Sequence, residues 1–205
     1  MRGTGFLCIA LTAAVAIGCN STERRDTAGS KPGDAVGTAG SSDISRADRD
    51  FIHDVGIANM AEIELGRMAT ERAASPEVKR FGQTMIDDHT KAGDDLKAVA
   101  SRHNVPMPTE LDNKHIDLRD KLQKLNGADF DKEYMSAMVN GHEDVVSKLG
   151  SRVDSTDAKA VVPEKSDNAV TKAINEWAAA AYPVVHHHEE MAKDVESNLK
   201  KRTTN

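Results

Sequence analysis

The chain has 205 residues, enough for one domain with a sizeable core. Its net charge of −6, spread in mixed order along the chain, excludes a nucleic-acid role driven by phosphate contacts, which needs a basic face. Aromatics are 3% of the residues while Ala, Leu, Val and Met fill most apolar positions, a balance that suits packed helices and excludes a typical β-sandwich.

The N-terminus reads as an address. Arg2 and the apolar run from Phe6 to Ile17 have the layout of a signal peptide over residues 1–18, and the run is too short to span a bilayer. Ala16-Ile17-Gly18-Cys19 resembles the lipobox of bacterial lipoproteins, with Ala16 where that motif usually carries Leu. The resemblance implies that Cys19 is acylated and becomes the mature N-terminus. Asn20, in place of Asp, implies sorting to the outer membrane from the periplasmic side. More than one acyl chain makes such an anchor stable, so the membrane is an expected partner. Ordinary signal-peptidase cleavage, giving an unanchored protein, is the alternative. The other cysteine, Cys8, lies inside the signal, so no disulfide and no thiolate chemistry is available to the mature domain. Residues 19–43 are rich in Ser, Thr, Gly and Asp and hold almost no bulky apolar residue, so they read as a flexible tether before a domain at 44–202.

The domain shows helical periodicity throughout. A first long helix is expected from Ser45 to about Ala74, with Phe51, Val55, Ala58, Glu62, Leu65 and Ala69 on one stripe. Ser75-Pro76 suits an N-cap followed by the first position of a second helix. That helix carries Val78, Phe81, Met85, His89, Ala92, Leu96 and Val99. The link is so short that the two helices must be antiparallel neighbours. Pro106 and Pro108 end the second helix, and a short one follows from about Glu110 to Leu125, stopped by Asn126-Gly127. A third long helix is expected after Asp129, with Tyr134, Met138, His142, Val145 and Leu149 on its stripe. Gly150 to Ser166, which holds Pro163 and polar residues, reads as a loop. The last helix carries Val170, Ile174, Trp177, Ala181, Val184, His188, Met191, Val195 and Leu199, and Pro183 is expected to kink it near Ala179.

Four amphipathic helices around one apolar centre make an all-α four-helix bundle. A crossover through the short helix, setting the third long helix parallel to the second, would make it ferritin-like. A plain up-down-up-down order is the alternative.

Several segments resemble the bacterial domain-of-unknown-function 4142 family. They are Asn59-Met60-Ala61-Glu62-Ile63 with Leu65-Gly66, Ser75-Pro76-Glu77-Val78-Lys79, and Met85-Ile86-Asp87-Asp88-His89-Thr90-Lys91. Leu111-Asp112-Asn113-Lys114-His115, Phe130-Asp131-Lys132-Glu133-Tyr134-Met135 and His142 continue the series in order. The resemblance runs from about Ala47 to Lys193. It implies an exported, ferritin-like helical protein, some of whose relatives are described as outer-membrane proteins, and it implies no activity. Gly141 stands where the family often has Asp, and His186-His187-His188 replaces a more mixed segment.

Glu62, His89, His142 and His188 each occupy the apolar stripe of a different helix, where a bundle core expects Leu or Ile. Glu62 lies 13 residues before Ser75 and His89 lies 14 after it, so the two sit at one level of the hairpin. Buried carboxylates and imidazoles need partners. Together the four can hold one divalent transition metal (Zn, Fe, Ni or Cu), or they can hydrogen-bond to one another as a polar network that fixes helix register. Asp88 can serve as an acceptor behind a ligand or replace Glu62 as the carboxylate. Ile86, Val139 and Val185 stand three residues before the three histidines, so the Glu-x-x-His pattern of a di-iron site is missing. Met85, Met138 and Met191 fall on one side of the histidine level if the second and third long helices are parallel. Such a thioether layer suits Cu(I), or it is core filler. His186 and Glu190 pair at i,i+4 on the surface. No Ser-His-Asp order, phosphate loop or HExxH is present, so an enzyme would have to work through the metal. The function classes are thus a metal-holding envelope protein, an interaction module with an unknown protein partner, and, behind these, a metalloenzyme.

Overall fold

The computed structural model describes residues 44–157 and 160–203. The signal peptide, Cys19 and the tether lie outside these residues. The element order is α1 (Arg46–Arg72), α2 (Pro76–Arg102), α3 (Asn113–Leu122), α4 (Gly127–Gly150), β1 (Val153–Asp157), β2 (Ala160–Pro163) and α5 (Ala169–Thr203). None of the described helices is long and apolar enough to cross a membrane.

Local chemistry sets the helix starts. Ser45 caps α1 by accepting from the Asp48 amide, Ser75 caps α2 by accepting from Glu77, and Asp112 caps α3 by accepting from His115. Pro76 sits in the first turn of α2, where its missing N–H costs nothing. α3 is shorter than its pattern suggests. α4 begins two residues before Asp129, at Gly127, whose φ of +63° is a conformation that glycine adopts without strain.

Two buried aspartates reveal the helix directions. Asp48, at the start of α1, accepts from the Thr171 hydroxyl at the start of α5 and pairs with Arg152 just past α4. Asp131, at the start of α4, accepts from the amides of Ala74 and Ser75 at 3.1 and 2.8 Å, in the turn between α1 and α2. The end of α5 reaches the start of α2 through Arg202 and Glu77. So α1 and α5 run one way and α2 and α4 the other. α3 crosses back along the bundle, which is the ferritin-like arrangement. α1 packs against α2, α4 against α5, and each pair closes on the other through α2–α5 and α1–α4 contacts. Glycine lets α1 and α2 approach closely: a Cβ on Gly66 would lie 2.7 Å from the Gly82 carbonyl oxygen.

The segment after α4 departs from the expected loop. Val153–Asp157 and Ala160–Pro163 pair as an antiparallel hairpin. Val153 enters the core and Val161 packs against it while Val162 is exposed, as the two-residue period of a strand places them. Pro163 falls on the last residue of β2, where a lost donor is tolerated. α5 continues unbroken through Pro183. Its buried face includes Ile174, Ala178, Val185, His188 and Ala192, so Val185 points inward and Val184 outward.

The core falls into two clusters. One gathers Phe51, Val55, Leu96, Leu149, Ile174 and Val185, near the start of α1. The other gathers Leu65, Phe81, Met85, Phe130, Tyr134 and Met138, near the α1–α2 turn. The polar residues of the stripes lie between them.

Candidate metal centre

α2, α4 and α5 each deliver one histidine to the gap between the two clusters. His89, His142 and His188 are buried, at 6, 1 and 2% exposure. Their ring centroids are 5.8 Å (His89–His142), 5.4 Å (His89–His188) and 5.6 Å (His142–His188) apart, a nearly equilateral triangle. One ligand atom from each lies within 4.8 Å of the others.

The hydrogen bonds fix which nitrogen faces inward. His89 Nδ1–H donates to Asn59 Oδ1 at 3.1 Å. His142 Nδ1–H donates to the Met138 carbonyl at 2.8 Å. His188 Nε2–H donates to Asp88 Oδ2 at 2.8 Å. These acceptors set the tautomer of each ring. The remaining nitrogens, His89 Nε2, His142 Nε2 and His188 Nδ1, are buried and have no hydrogen-bond partner. In the neutral rings all three carry lone pairs. Burial, reinforced by repulsion from His142 and His188, pushes the His89 pKa well below 6.5. Burial also lowers that of His188, against the opposing pull of Asp88. Three buried rings that each keep one nitrogen without a hydrogen-bond partner, with a ligand atom apiece inside 4.8 Å of the others, form a site that can hold a cation. A tetrahedral ion with bonds of about 2.0–2.1 Å separates its ligand atoms by about 3.3 Å, so to hold one the rings would have to close inward by no more than about an ångström each.

Glu62, expected from the sequence to be a fourth ligand, stands beside the triangle rather than in it. Its Oε1 is 3.8 Å from His142 Nδ1, the nitrogen already engaged by Met138. The α1 position that meets His89 belongs to Asn59, three residues earlier on the same face. Gly93 makes that contact possible, since a Cβ there would come within 2.5 Å of Asn59 Nδ2. Glu62 Oε2 has no partner, and burial raises the carboxyl pKa above 4.5. Gly141 faces this carboxyl group, since a Cβ there would lie 3.4 Å from Glu62 Oε1, so an acidic residue there would set a second carboxylate against the first.

Asp88 takes the outer position expected of it, but its partner is His188, across the bundle, and not its neighbour His89. Met85 and Met138 are fully buried and Met191 partly buried. All three belong to the cluster by the α1–α2 turn, on one side of the histidines as the parallel run of α2 and α4 requires. His186 and Glu190 lie 3.9 Å apart on the surface. Asn59 is the residue that the sequence reading missed. Its only signal is an amide on the buried stripe one turn before Glu62.

Among the described residues, the helical bundle buries a triangle of three histidines that could hold a metal ion, with no carboxylate inside it. A family model described as "Domain of unknown function (DUF4142)" matches residues 34–195, and the chain belongs to that family. No curated protein and no solved structure matches it.

Proposed function

We propose that this protein holds one transition-metal ion on His89, His142 and His188, as a metal-binding module of the bacterial envelope rather than a catalyst. The observation that carries the proposal is the cluster of three buried histidines, each with one ring nitrogen held by an acceptor and the other buried without a partner. A polar network built for register alone would pair those nitrogens with neighbouring donors. The donor set is three imidazoles, which suits Zn, Cu, Ni or Fe and disfavours the oxygen-seeking Mg and Ca. Export and outer-membrane anchoring through Cys19 rest on the lipobox-like segment and on the tether, which would let the domain range from its anchor.

Elemental analysis of the chain purified without tag or chelator, beside a His89→Ala/His142→Ala variant, tests the metal reading. One equivalent of a transition metal in the wild type and none in the variant is expected. No uptake by the wild type, even after incubation with Zn2+, Cu+ or Fe2+, leaves an interaction module with an imperfectly satisfied polar layer. Cys19→Ala should move the protein from the membrane fraction to the soluble periplasmic fraction; unchanged membrane association contradicts the anchor.

A further inference from the structure

The three rings of the triangle are braced unequally. The acceptors of His89 and His142, the Asn59 amide and the Met138 carbonyl, lie inside the bundle. The acceptor of His188 is Asp88, whose side chain is 46% exposed. A hydrogen bond to a wetted carboxylate opens at less cost than an interior one, because water takes over the acceptor that the ring gives up. His188 is therefore the ring that turns most easily.

That ring also stands at an open cleft. Asp88, His89 and His188 line a groove between α2 and α5 that stays open because small side chains, Ala92, Ala180 and Ala181, border it. At one end the Trp177 indole N–H donates to the Ala92 carbonyl at 3.3 Å and ties α5 to α2. At the other end the tie is the Asp88–His188 bond itself. Lys91, in the same cleft, is taken up by Asp95 at 2.6 Å, and among the described residues no lysine or arginine pairs with Asp88. The cleft thus presents a carboxylate to an arriving cation beside two of the three rings. The clefts next to α3 reach Glu62 but none of the three histidines.

We propose that a divalent cation enters and leaves the histidine centre through the α2–α5 cleft, with Asp88 as its first protein contact and His188 as the ring that turns to admit it. This rests on the three-histidine metal reading above and adds how the site is filled. A hydrated divalent ion loses water as it passes between apolar walls, and the Asp88 carboxylate offsets part of that cost. As the ion engages Asp88, the His188 Nε2–H passes from that carboxylate to water in the cleft. The freed ring turns its Nδ1, which is buried and without a partner when the site is closed, outward to the ion. Turning back delivers the ion to His89 and His142 and restores the bond to Asp88. Release follows the same steps in reverse, so an obstacle in the cleft slows both directions alike.

The probe is Co2+, whose visible absorption reports coordination, mixed with the full chain in a stopped-flow instrument and later withdrawn by excess chelator. Val184 lines the cleft one turn before His188 and is 44% exposed, so Val184→Trp fills the entrance from the surface. It should slow uptake and release alike, each by about tenfold or more, and leave the equilibrium affinity unchanged. Ala180→Trp, from another exposed position on the same wall, asks the same question should the first variant fail to fold. Asp88→Asn keeps an acceptor for His188 but removes the charge, and should slow uptake by roughly threefold or more at low salt, a difference that high salt erases. Asn140→Trp crowds a cleft next to α3 and should change neither rate. Cobalt uptake at wild-type rates in both cleft variants overturns this route and leaves the metal reading standing. So does slowing in Asn140→Trp instead, or a Val184→Trp effect on affinity with uptake unchanged. A wild-type chain that takes up no cobalt overturns both.

Discussion

The two halves of the core are built differently. The half near the start of α1 is mostly aliphatic, with Val55, Leu96, Leu149, Ile174 and Val185 beside one edge-to-face pair, Phe51 and Trp177, and it contains a small pocket bordered by Ala58, Val145 and Val185. The half near the α1–α2 turn is aromatic and methionine-rich. It is closed, with Phe130 stacked on Tyr134 at 5.5 Å and Phe81 edge-on to Tyr134 at 6.2 Å. Small β-branched and alanine side chains from four helices leave a gap where they meet, whereas flexible methionines and large rings fill theirs. The histidines sit on the boundary. One half therefore acts as a wall behind the centre and the other as a chamber in front of it.

That contrast can be broken most forcefully at the boundary. His188→Ala removes one of three donors and should lower metal affinity by at least on the order of 100-fold, more than loss of any bracing group. Competition with a chromogenic chelator measures it, and retention of wild-type affinity would place the ion elsewhere.

The bracing groups come next. Asn59→Ala and Asp88→Ala leave the ligands in place but free a ring to turn, and should cost about 10–100-fold in the same assay. Gly93→Ala should mimic Asn59→Ala, because its new methyl displaces the amide. An effect confined to Asp88 would show that charge, and not ring orientation, is what matters.

The packing difference itself predicts an asymmetry between two alanines of α1. Ala69 is fully buried on the closed side, so Ala69→Val should destabilise the protein by about 1–3 kcal/mol through overpacking. Ala58 borders the pocket, so Ala58→Val should cost well under about 1 kcal/mol in urea denaturation. Equal costs would mean that the chamber is not real space.

The smallest effect is the pH response of the metal-free protein. His89 is held below 6.5, so the unfolded chain binds a proton there that the folded chain refuses. Stability should fall as pH drops below about 6.5, by at most about 1.4 kcal/mol per pH unit for that group. Glu62, raised above 4.5, works in the opposite sense, and its contribution is lost as pH climbs through its raised value. Glu62→Gln should therefore steepen the loss on the acid side. An unchanged slope would contradict the burial of one group or the other.

Much of this architecture is legible in the sequence. The stripes of the first three long helices put His89 and His142 on buried faces, as the structure has them, because the 3.6-residue period leaves little freedom. The last helix is harder. Its near-continuous apolar run from Trp177 to Val185 offers two adjacent stripes, and only packing against α4 selects Val185 over Val184. The hairpin hides behind Pro163 and polar residues, since its strands are held by α4 and α5 rather than by their own pattern. At the centre, spacing puts Glu62 and His89 at one level but not at one azimuth. That choice depends on Gly93 admitting Asn59, a tertiary fact. The Asp88–His188 pair likewise spans 100 positions of sequence, which no local pattern encodes.

X-ray absorption of the zinc-loaded chain tests the central claim most directly. The account predicts three imidazole nitrogens and one further light atom at about 2.0–2.1 Å. The imidazole signal should be lost in His89→Ala/His142→Ala. A sulfur scatterer, or a shell of carboxylate and water oxygens without imidazole, would contradict it.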